Sequence, residues 1–188
     1  MDCKITFLNK KVLIYFFTLF FTICVFSQTI ILQTDFETGL EGWTQNTFDG
    51  MDWTRNSGGT LSDNTGPSAA QSGSYYMYTE ASGYNNLTAI FESPTIDLSS
   101  SLGPQIQFYY HMYGGDMGDL YVDISTDNGV SYPDNLWSQT SGQIQTSSGS
   151  PWIVVTIDLS SYIGQSTVKI RFWIQEMDIE VIWQLIMY

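Results

Sequence analysis

The chain has 188 residues, in which 6 Lys and Arg side chains face 19 Asp and Glu side chains, giving a formal net charge of −13. So few cations neutralise few phosphates, and the composition therefore argues against nucleic acid or an anionic lipid surface as partner. The carboxylates make divalent cations better candidate partners than phosphates. The alternative is that the negative charge only keeps an aromatic-rich protein soluble.

The first predicted element is an export signal over residues 1–27. A head with three lysines precedes an apolar run from Val12 to Phe26, and the run ends at Ser27. The run is shorter than the roughly 20 apolar residues that span a bilayer, and its small-residue ending is typical of a secretory signal. We expect cleavage between Ser27 and Gln28, hence a secreted or cell-surface protein without membrane insertion after cleavage.

The remaining residues 28–188 are enough for one domain. Both cysteines, Cys3 and Cys24, lie in the signal, so the exported chain has no disulfide and depends on burial for stability. The exported part keeps three basic residues against 18 acidic ones, which changes its net charge to −15.

The exported part has the pattern of an all-β protein, because short β-rich runs recur between Gly, Ser, Asn and Pro clusters and no apolar run has helical spacing. In the run Gln105–Tyr113, Ile106 and Phe108 share an apolar face, whereas His111 lies on the mixed, half-exposed face. One-sided strands need a covering sheet, so a two-sheet antiparallel sandwich is predicted. The candidate strands are Thr29–Gln33, Ser74–Tyr78, Thr88–Glu92, Gln105–Tyr113, Leu120–Ser125, Trp152–Asp158 and Val168–Trp173.

Two connections are also predicted. Asp127-Asn128-Gly129 supplies residues that tolerate positive φ, so Leu120–Ser125 should turn back on the segment after Gly129. The Ser, Gly, Thr and Gln stretch from Ser138 to Ser150 is predicted to be an exposed loop.

No catalytic residue is predicted. His111 is the single histidine, and no Gly-x-Ser-x-Gly motif accompanies any serine. The acids Asp116, Asp119, Asp123 and Asp127 lie along one strand and its turns rather than across a cleft, which indicates a solvated acidic edge and not a glycosidase pair.

Tyrosines are abundant enough to form a contact surface, since Tyr combines large contact area with few rotatable bonds. Packing inside the sandwich is the alternative for at least half of them. The candidates are Tyr75, Tyr76, Tyr78, Tyr84, Tyr109, Tyr113, Tyr121 and Tyr132.

An ordered series of motifs resembles the MAM domain, the family of meprin, the A5 antigen and a receptor tyrosine phosphatase. Order and spacing agree over nearly all of the exported chain. The motifs are Phe36-Glu37, Trp43-Thr44-Gln45-Asn46, Asp52-Trp53-Thr54-Arg55, Thr65-Gly66-Pro67, the run from Ser72 to Tyr78, Ser93-Pro94, the run from Phe108 to Gly114, Leu136-Trp137 and Trp152.

The resemblance implies a jelly-roll-like sandwich and a non-catalytic recognition or adhesion role outside the cell, with an extracellular protein or a glycan as partner and self-association as a further option. The family's disulfide cysteines are missing, which is frequent in bacterial relatives. Two alternatives stay open: a carbohydrate-binding module, and an accessory domain of a secreted metalloprotease whose His-Glu-x-x-His motif would lie elsewhere.

The resemblance also implies a structural Ca²⁺ site. Glu37 matches the position where several family members hold a cation, and Asp63 is a weaker candidate. Loop carbonyls would have to complete the six to eight oxygen ligands. A plain surface acid near a strand end is the alternative for Glu37.

The last residues depart from the family pattern from about residue 174. A shifted reading frame forces Gly from Met177-Asp178, Ala from Trp183-Gln184 and Val from Met187-Tyr188, and permitted codons give the ending Asn-Gly-Tyr-Arg-Ser-Asp-Met-Ala-Ile-Asp-Asn-Val. That ending resembles the family's closing strand. We therefore expect a frameshift near Trp173–Glu176, and a chain that is a piece of a longer extracellular protein.

Overall fold

The computed structural model describes residues 29–80, 87–115, 117–140, 142–175 and 186–187. These parts form β-strands and one short 3-10 helix, Ser160–Tyr162. The strands are β1 (Thr44–Gln45), β2 (Gly50–Met51), β3 (Thr54–Ser57), β4 (Tyr75–Tyr78), β5 (Thr88–Glu92), β6 (Gln105–Tyr110), β7 (Asp119–Ser125), β8 (Asp134–Gln139), β9 (Ile153–Asp158), β10 (Lys169–Gln175) and β11 (Ile186–Met187).

The strands form two main sheets and a separate hairpin. The large sheet has the order β1-β5-β10-β7-β8, and β2 also pairs with β5; the smaller sheet has the order β11-β6-β9. The β3–β4 hairpin forms its own ladder. All pairs are antiparallel except β2 with β5. The predicted all-β, antiparallel, jelly-roll-like sandwich is confirmed.

Alternation along the central strands decides which side chains close the sandwich. Ile170, Phe172 and Ile174 of β10 are fully buried, whereas the residues between them are only partly covered. From the smaller sheet, Phe108 meets Phe172 edge to face, with ring centroids 5.1 Å apart. Burial of these one-sided strands therefore joins the two sheets, as the sequence pattern indicates.

Aromatic rings from the N-terminal third extend this core. Trp43 stacks on Phe91 with centroids 5.0 Å apart, and its indole Nε1 donates to Thr34 Oγ1 at 3.1 Å. Trp53 lies 6.1 Å from Phe91 on another side and donates Nε1 to the Ala89 carbonyl at 3.2 Å. Both tryptophans thus bury their rings while their N–H groups keep partners.

Six predicted strands are present with small shifts of their ends, but Thr29–Gln33 forms no strand. In that segment Ile30 and Ile31 are 60% and 49% exposed, and only Leu32 packs against the core. The residues meet the sandwich through side chains rather than through a ladder of backbone hydrogen bonds, and a β-rich sequence run cannot reveal that difference.

The prediction of a half-exposed His111 is wrong. The strand ends at Tyr110, and His111 is fully buried. Beyond the strand, the Met112 N–H donates to Gln145 Oε1 at 2.6 Å, and the Met112 carbonyl accepts from Ile144 and Gln145. Period-two alternation stops where the ladder stops.

The predicted exposed loop from Ser138 to Ser150 is also only partly correct. Strand β8 extends to Gln139, and Gln145 is buried because its side chain binds the backbone of Met112. The expected turn is confirmed: β7 pairs with β8, and Asn128 and Gly129 have φ values of 60° and 88°.

Asp123 lies on the outer face of the large sheet and is not part of a solvated edge. Its side chain is only 8% exposed. Its Oδ2 accepts from Arg171 Nε and Nη2 at 3.0 and 2.9 Å and from Trp173 Nε1 at 2.7 Å, and its Oδ1 accepts from Asn135 Nδ2 at 2.8 Å. The carboxylate therefore links β7, β8 and β10.

Asp123→Asn removes the charge that satisfies Arg171 and leaves fewer acceptor sites for Trp173. We expect the free energy of unfolding to fall by about 2 kcal/mol, below the range for fully buried pairs because Arg171 is partly exposed. Denaturant unfolding measures it. The matched control is Asp52→Asn at an exposed acid, expected within about 0.5 kcal/mol of wild type; equal losses in both variants would contradict the role given to Asp123.

Candidate binding site

A cleft of about 690 Å³ opens beside β2 and the β3–β4 hairpin. We call it the acidic cleft, because three carboxylates and no Lys or Arg are found among the described residues that line it. Its described polar lining residues are Asn46, Thr47, Asp49, Asp52, Thr54, Tyr78 and Glu80.

The parallel pairing of β2 with β5 fixes one wall of the acidic cleft. Asp49 precedes β2, and its Oδ2 accepts from the Ile90 N–H at 2.5 Å. Its carbonyl accepts from the Thr88 N–H at 3.3 Å. Gly50 follows with φ 93°, and a Cβ there would lie 3.2 Å from a Leu87 methyl group. The wall therefore depends on a glycine at this position.

The electrostatics of the acidic cleft disfavour additional negative charge. Burial raises the pKa of Asp49, and the nearby Asp52 carboxylate adds to that shift. Burial likewise raises the pKa of the Tyr78 hydroxyl, with Glu80 contributing. Ser62 Oγ donates to Glu80 Oε1 at 2.8 Å, so this carboxylate is oriented at the wall.

Two large apolar side chains in or next to the lining segments of the acidic cleft are exposed. Phe48, between the lining residues Thr47 and Asp49, is 96% exposed, and the lining residue Leu61 is 85% exposed. Large exposed apolar side chains at the edge of a polar cleft are typical of a contact surface for another molecule.

Glu37, a candidate cation ligand, connects two segments of the chain through its side chain. Its Oε1 accepts from the backbone N–H groups of Ser74 and Tyr75 at 2.6 and 2.8 Å. A Cβ on Gly73 would lie 2.5 Å from that oxygen, so the approach requires glycine at that position.

Arg55 occupies the backbone oxygens around Glu37. Its guanidinium donates to the carbonyls of Phe36 and Glu37, and it lies 3.3 Å from the centre of the Tyr75 ring. Asp63 is an exposed residue of another loop. Within the described ranges, no three His, Cys, Asp or Glu side chains are grouped to hold a metal ion. These residues offer only part of a ligand set, and the Ca²⁺ site stays a prediction.

The tyrosine candidates have separate environments. Tyr76 and Tyr78 are buried, Tyr75 lies under Arg55, and Tyr121 stacks on Trp173 at 4.2 Å. Tyr109, Tyr113 and Tyr132 are half-buried, whereas Tyr84 and the acid Asp116 lie outside the described residues. The described members of this set therefore do not form a single aromatic surface.

The sequence analysis did not predict the acidic cleft, although it had all of the lining residues before it in the sequence. Asp49 and Asp52 flank a two-residue strand, and Glu80 is 28 positions beyond Asp52. Only the density of acids around residues 49–52 could have drawn attention to this region.

Three comparisons with known proteins bear on the fold and the family. The family model of the MAM domain, meprin/A5/mu, matches residues 34–180. The mouse MAM domain-containing glycosylphosphatidylinositol anchor protein 2 is 34% identical over 119 residues, which are 55% of this chain and 12% of that protein. Human protein 1 of the same name is 35% identical over 106 residues, 52% of this chain and 11% of its own length.

Solved structures share the fold at low sequence identity. The K1 adhesin domain of Lys-gingipain from Porphyromonas gingivalis matches with a TM-score of 0.57 and 17% identity, over 84% of this chain and 96% of that domain. A carbohydrate-binding module of the β-sandwich superfamily matches with a TM-score of 0.53 and 14% identity, over 81% and 60%. In the described part of the chain, no helix has the length and hydropathy needed to cross a bilayer.

The buried His111 is expected to make the stability of this domain depend on pH. Burial lowers the pKa of His111 from 6.5 to about 4, although the Ser150 backbone opposes the shift, and neither ring nitrogen reaches hydrogen-bond geometry. Between these values the unfolded chain binds the extra proton. We therefore expect titration of His111 to leave the free energy of unfolding unchanged above pH 6.5 and to lower it by about 3 kcal/mol as the pH falls towards 4.

The matching variant is His111→Leu, which cannot titrate. Denaturant unfolding at pH 7 and pH 4.5 should show the wild type losing about 2 kcal/mol more than the variant between the two pH values. Equal losses in the two proteins would show that His111 does not cause the acid sensitivity.

Proposed function

We propose that this chain, which belongs to the MAM (meprin/A5/mu) family, works as a non-catalytic recognition module that binds an extracellular protein. Family membership and the adhesin and carbohydrate-binding folds of its structural neighbours support a binding module outside the cell. The observation that carries the proposal is the open acidic cleft, with the exposed apolar side chain of Leu61 in its lining and that of Phe48 next to its lining residues in the sequence.

The character of the cleft favours binding over catalysis. Asp49 is held by the Ile90 N–H and Glu80 by Ser62, so two of its carboxylates are oriented by neighbours. The single histidine is buried against Trp152, with ring centroids 5.8 Å apart, rather than in the cleft lining. A hydrolase would need an activated nucleophile or a pair of acids across the substrate.

Export is the second part of the proposal, and it rests on the basic head and apolar run of residues 1–27. The chain spans 12% and 11% of the curated relatives named above. We infer that the module works within a longer extracellular protein, in which a restored reading frame would supply the closing strand in place of the ending seen here.

Carbohydrate binding is the second candidate function. It is favoured by the sandwich that this chain shares with a carbohydrate-binding module. The module could also be an accessory domain of a secreted metalloprotease. This is a special case of the leading proposal, because the module would still be non-catalytic and the protease domain would lie in another part of the polypeptide.

The exported protein itself provides the test. Mass spectrometry should first identify Gln28 as its N-terminus. Immobilised protein is then offered to purified outer-surface proteins, and in parallel its labelled form is applied to a glycan array. The proposal predicts saturable binding of a protein partner, and free exported chain should compete with the immobilised protein for that partner. Binding to glycans alone would support the second candidate. Turnover of a substrate, with no stable complex with either a protein or a glycan, would contradict both.

Calcium is a further proposal, and its test separates two roles of Glu37. Ca²⁺ should raise the melting temperature of a chain with the restored frame, and Glu37→Gln should remove most of that increase. Without Ca²⁺, the same variant should still melt lower than wild type, because it weakens the acceptor of the Ser74 and Tyr75 N–H groups. Asp63→Asn is the comparison. An equal Ca²⁺ response in wild type and Glu37→Gln would exclude Glu37 as a ligand.

A further inference from the structure

Residues 144–152, which we call the strap, cross the chain where the ladder of β6 ends. The Met112 carbonyl accepts from the N–H groups of Ile144 and Gln145 at 3.0 and 2.9 Å, and the Met112 N–H donates back to Gln145 Oε1 at 2.6 Å. Gln145 is buried, whereas the rest of the strap is half-buried or exposed. The strap is therefore attached at its start through one residue and otherwise covers little of the core.

His111 packs against the far end of the strap. Its ring is fully buried and lies edge to face with Trp152, with ring centroids 5.8 Å apart. The Ser150 backbone is close enough to influence its pKa, yet neither ring nitrogen has a hydrogen-bond partner among the described residues. Burying a polar ring without partners costs free energy, and burying its charged form costs more.

The surroundings of His111 offer no countercharge for a protonated ring. Burial and the Ser150 backbone are what shift its pKa, and no described Asp or Glu contributes. The titratable neighbours are tyrosines. Burial raises the pKa of Tyr110, which precedes His111, and that of Tyr76, behind the Trp152 ring, to about 12, so both stay neutral. A proton on His111 therefore needs water, and opening the strap admits water with less loss of buried contact than unfolding β6.

The strap also holds the loop that joins β3 to β4. The Ser148 carbonyl accepts from the Ser68 N–H at 2.9 Å. Trp152, the last residue of the strap, packs edge to face on Tyr76 of β4, with ring centroids 6.4 Å apart. The same loop carries Leu61, which lines the acidic cleft. Release of the strap would therefore loosen one wall of the cleft.

We propose that protonation of His111 opens the strap in mild acid, so that residues 144–152 and the β3–β4 loop lose their mutual hydrogen bonds while the two sheets stay folded. The opening is a property of the free chain. Its consequence for a partner in the acidic cleft rests on the proposed function: the form that binds becomes less populated, and the affinity falls in proportion.

The test is hydrogen–deuterium exchange of the exported protein at pH 7.5 and pH 5, read as protection factors. The open strap gives His111 its ordinary pKa of 6.5, against about 4 in the closed form. Protonation then favours the open form, and the protection of the Ile144, Gln145 and Ser68 N–H groups should fall by about 30-fold between the two pH values. In His111→Leu the loss should be less than about threefold.

Low urea concentrations distinguish local opening from global unfolding, because urea accelerates exchange in proportion to the surface that an opening exposes. Exchange of the strap and of Ser68 should be nearly independent of urea up to about 1 M, whereas exchange along β10 should accelerate. A strap with the same urea dependence as β10 would show that it opens only when the whole domain unfolds, and would overturn the inference.

Two variants control for the titrating group. His111→Gln is a second side chain that does not titrate, and it replaces His111→Leu if that variant melts below the assay temperature. Asp97→Asn removes an exposed acid whose pKa is lowered by its hydrogen bonds from Ser99. Asp97 titrates below the pH window, so this variant should keep the loss of about 30-fold. Equal losses in wild type and the His111 variant would overturn the inference.

The remaining outcomes separate the strap from the proposed function. Ser68 N–H protection that persists while the strap loses its own would overturn the link to the acidic cleft. A strap that opens as expected in a chain for which no protein partner is found would leave the inference standing while the proposed function fails. A bound partner together with a strap unaffected by acid would mean the reverse.

Discussion

Contact between aromatic rings of the two sheets is the interaction on which the rest of the structure depends. The described residues contain no cysteine, so burial alone holds the large sheet against the smaller one. Phe172 meets Phe108 across the interface, and Phe91 joins Trp43 and Trp53 to the same core. These contacts explain why so many rings are absorbed into the interior, and they position the β2 and β3–β4 region where the acidic cleft opens.

The polar groups of the domain divide into those that serve the fold and those that remain available. Asp123 accepts hydrogen bonds from Arg171, Trp173 and Asn135. Glu37 similarly uses one oxygen for two backbone N–H groups. In contrast, Asp52 is exposed within the acidic cleft. Availability, rather than the number of acids, therefore separates a recognition surface from a structural ion pair.

The sequence predicted the long strands well and the local irregularities poorly. Strands β5 and β7 have period-two alternation over five and seven residues, which defines a face. Strands β1 and β2 have two residues each, too few for any period. His111 was misplaced because alternation was extended past the end of β6, and Asp123 was misplaced because its partner Arg171 is 48 residues away. The acidic cleft is formed by segments that are far apart in the sequence, so no local sequence pattern predicts it.

The most direct test of this account is the hydrogen–deuterium exchange footprint that a bound protein partner leaves on the exported chain. Binding at the acidic cleft predicts slower exchange of backbone N–H groups in residues 46–54 and 78–80, with unchanged exchange along β7 and β10. Protection centred on the outer face around Asp123 and Arg171, with none at the cleft, would contradict the assignment of the recognition surface.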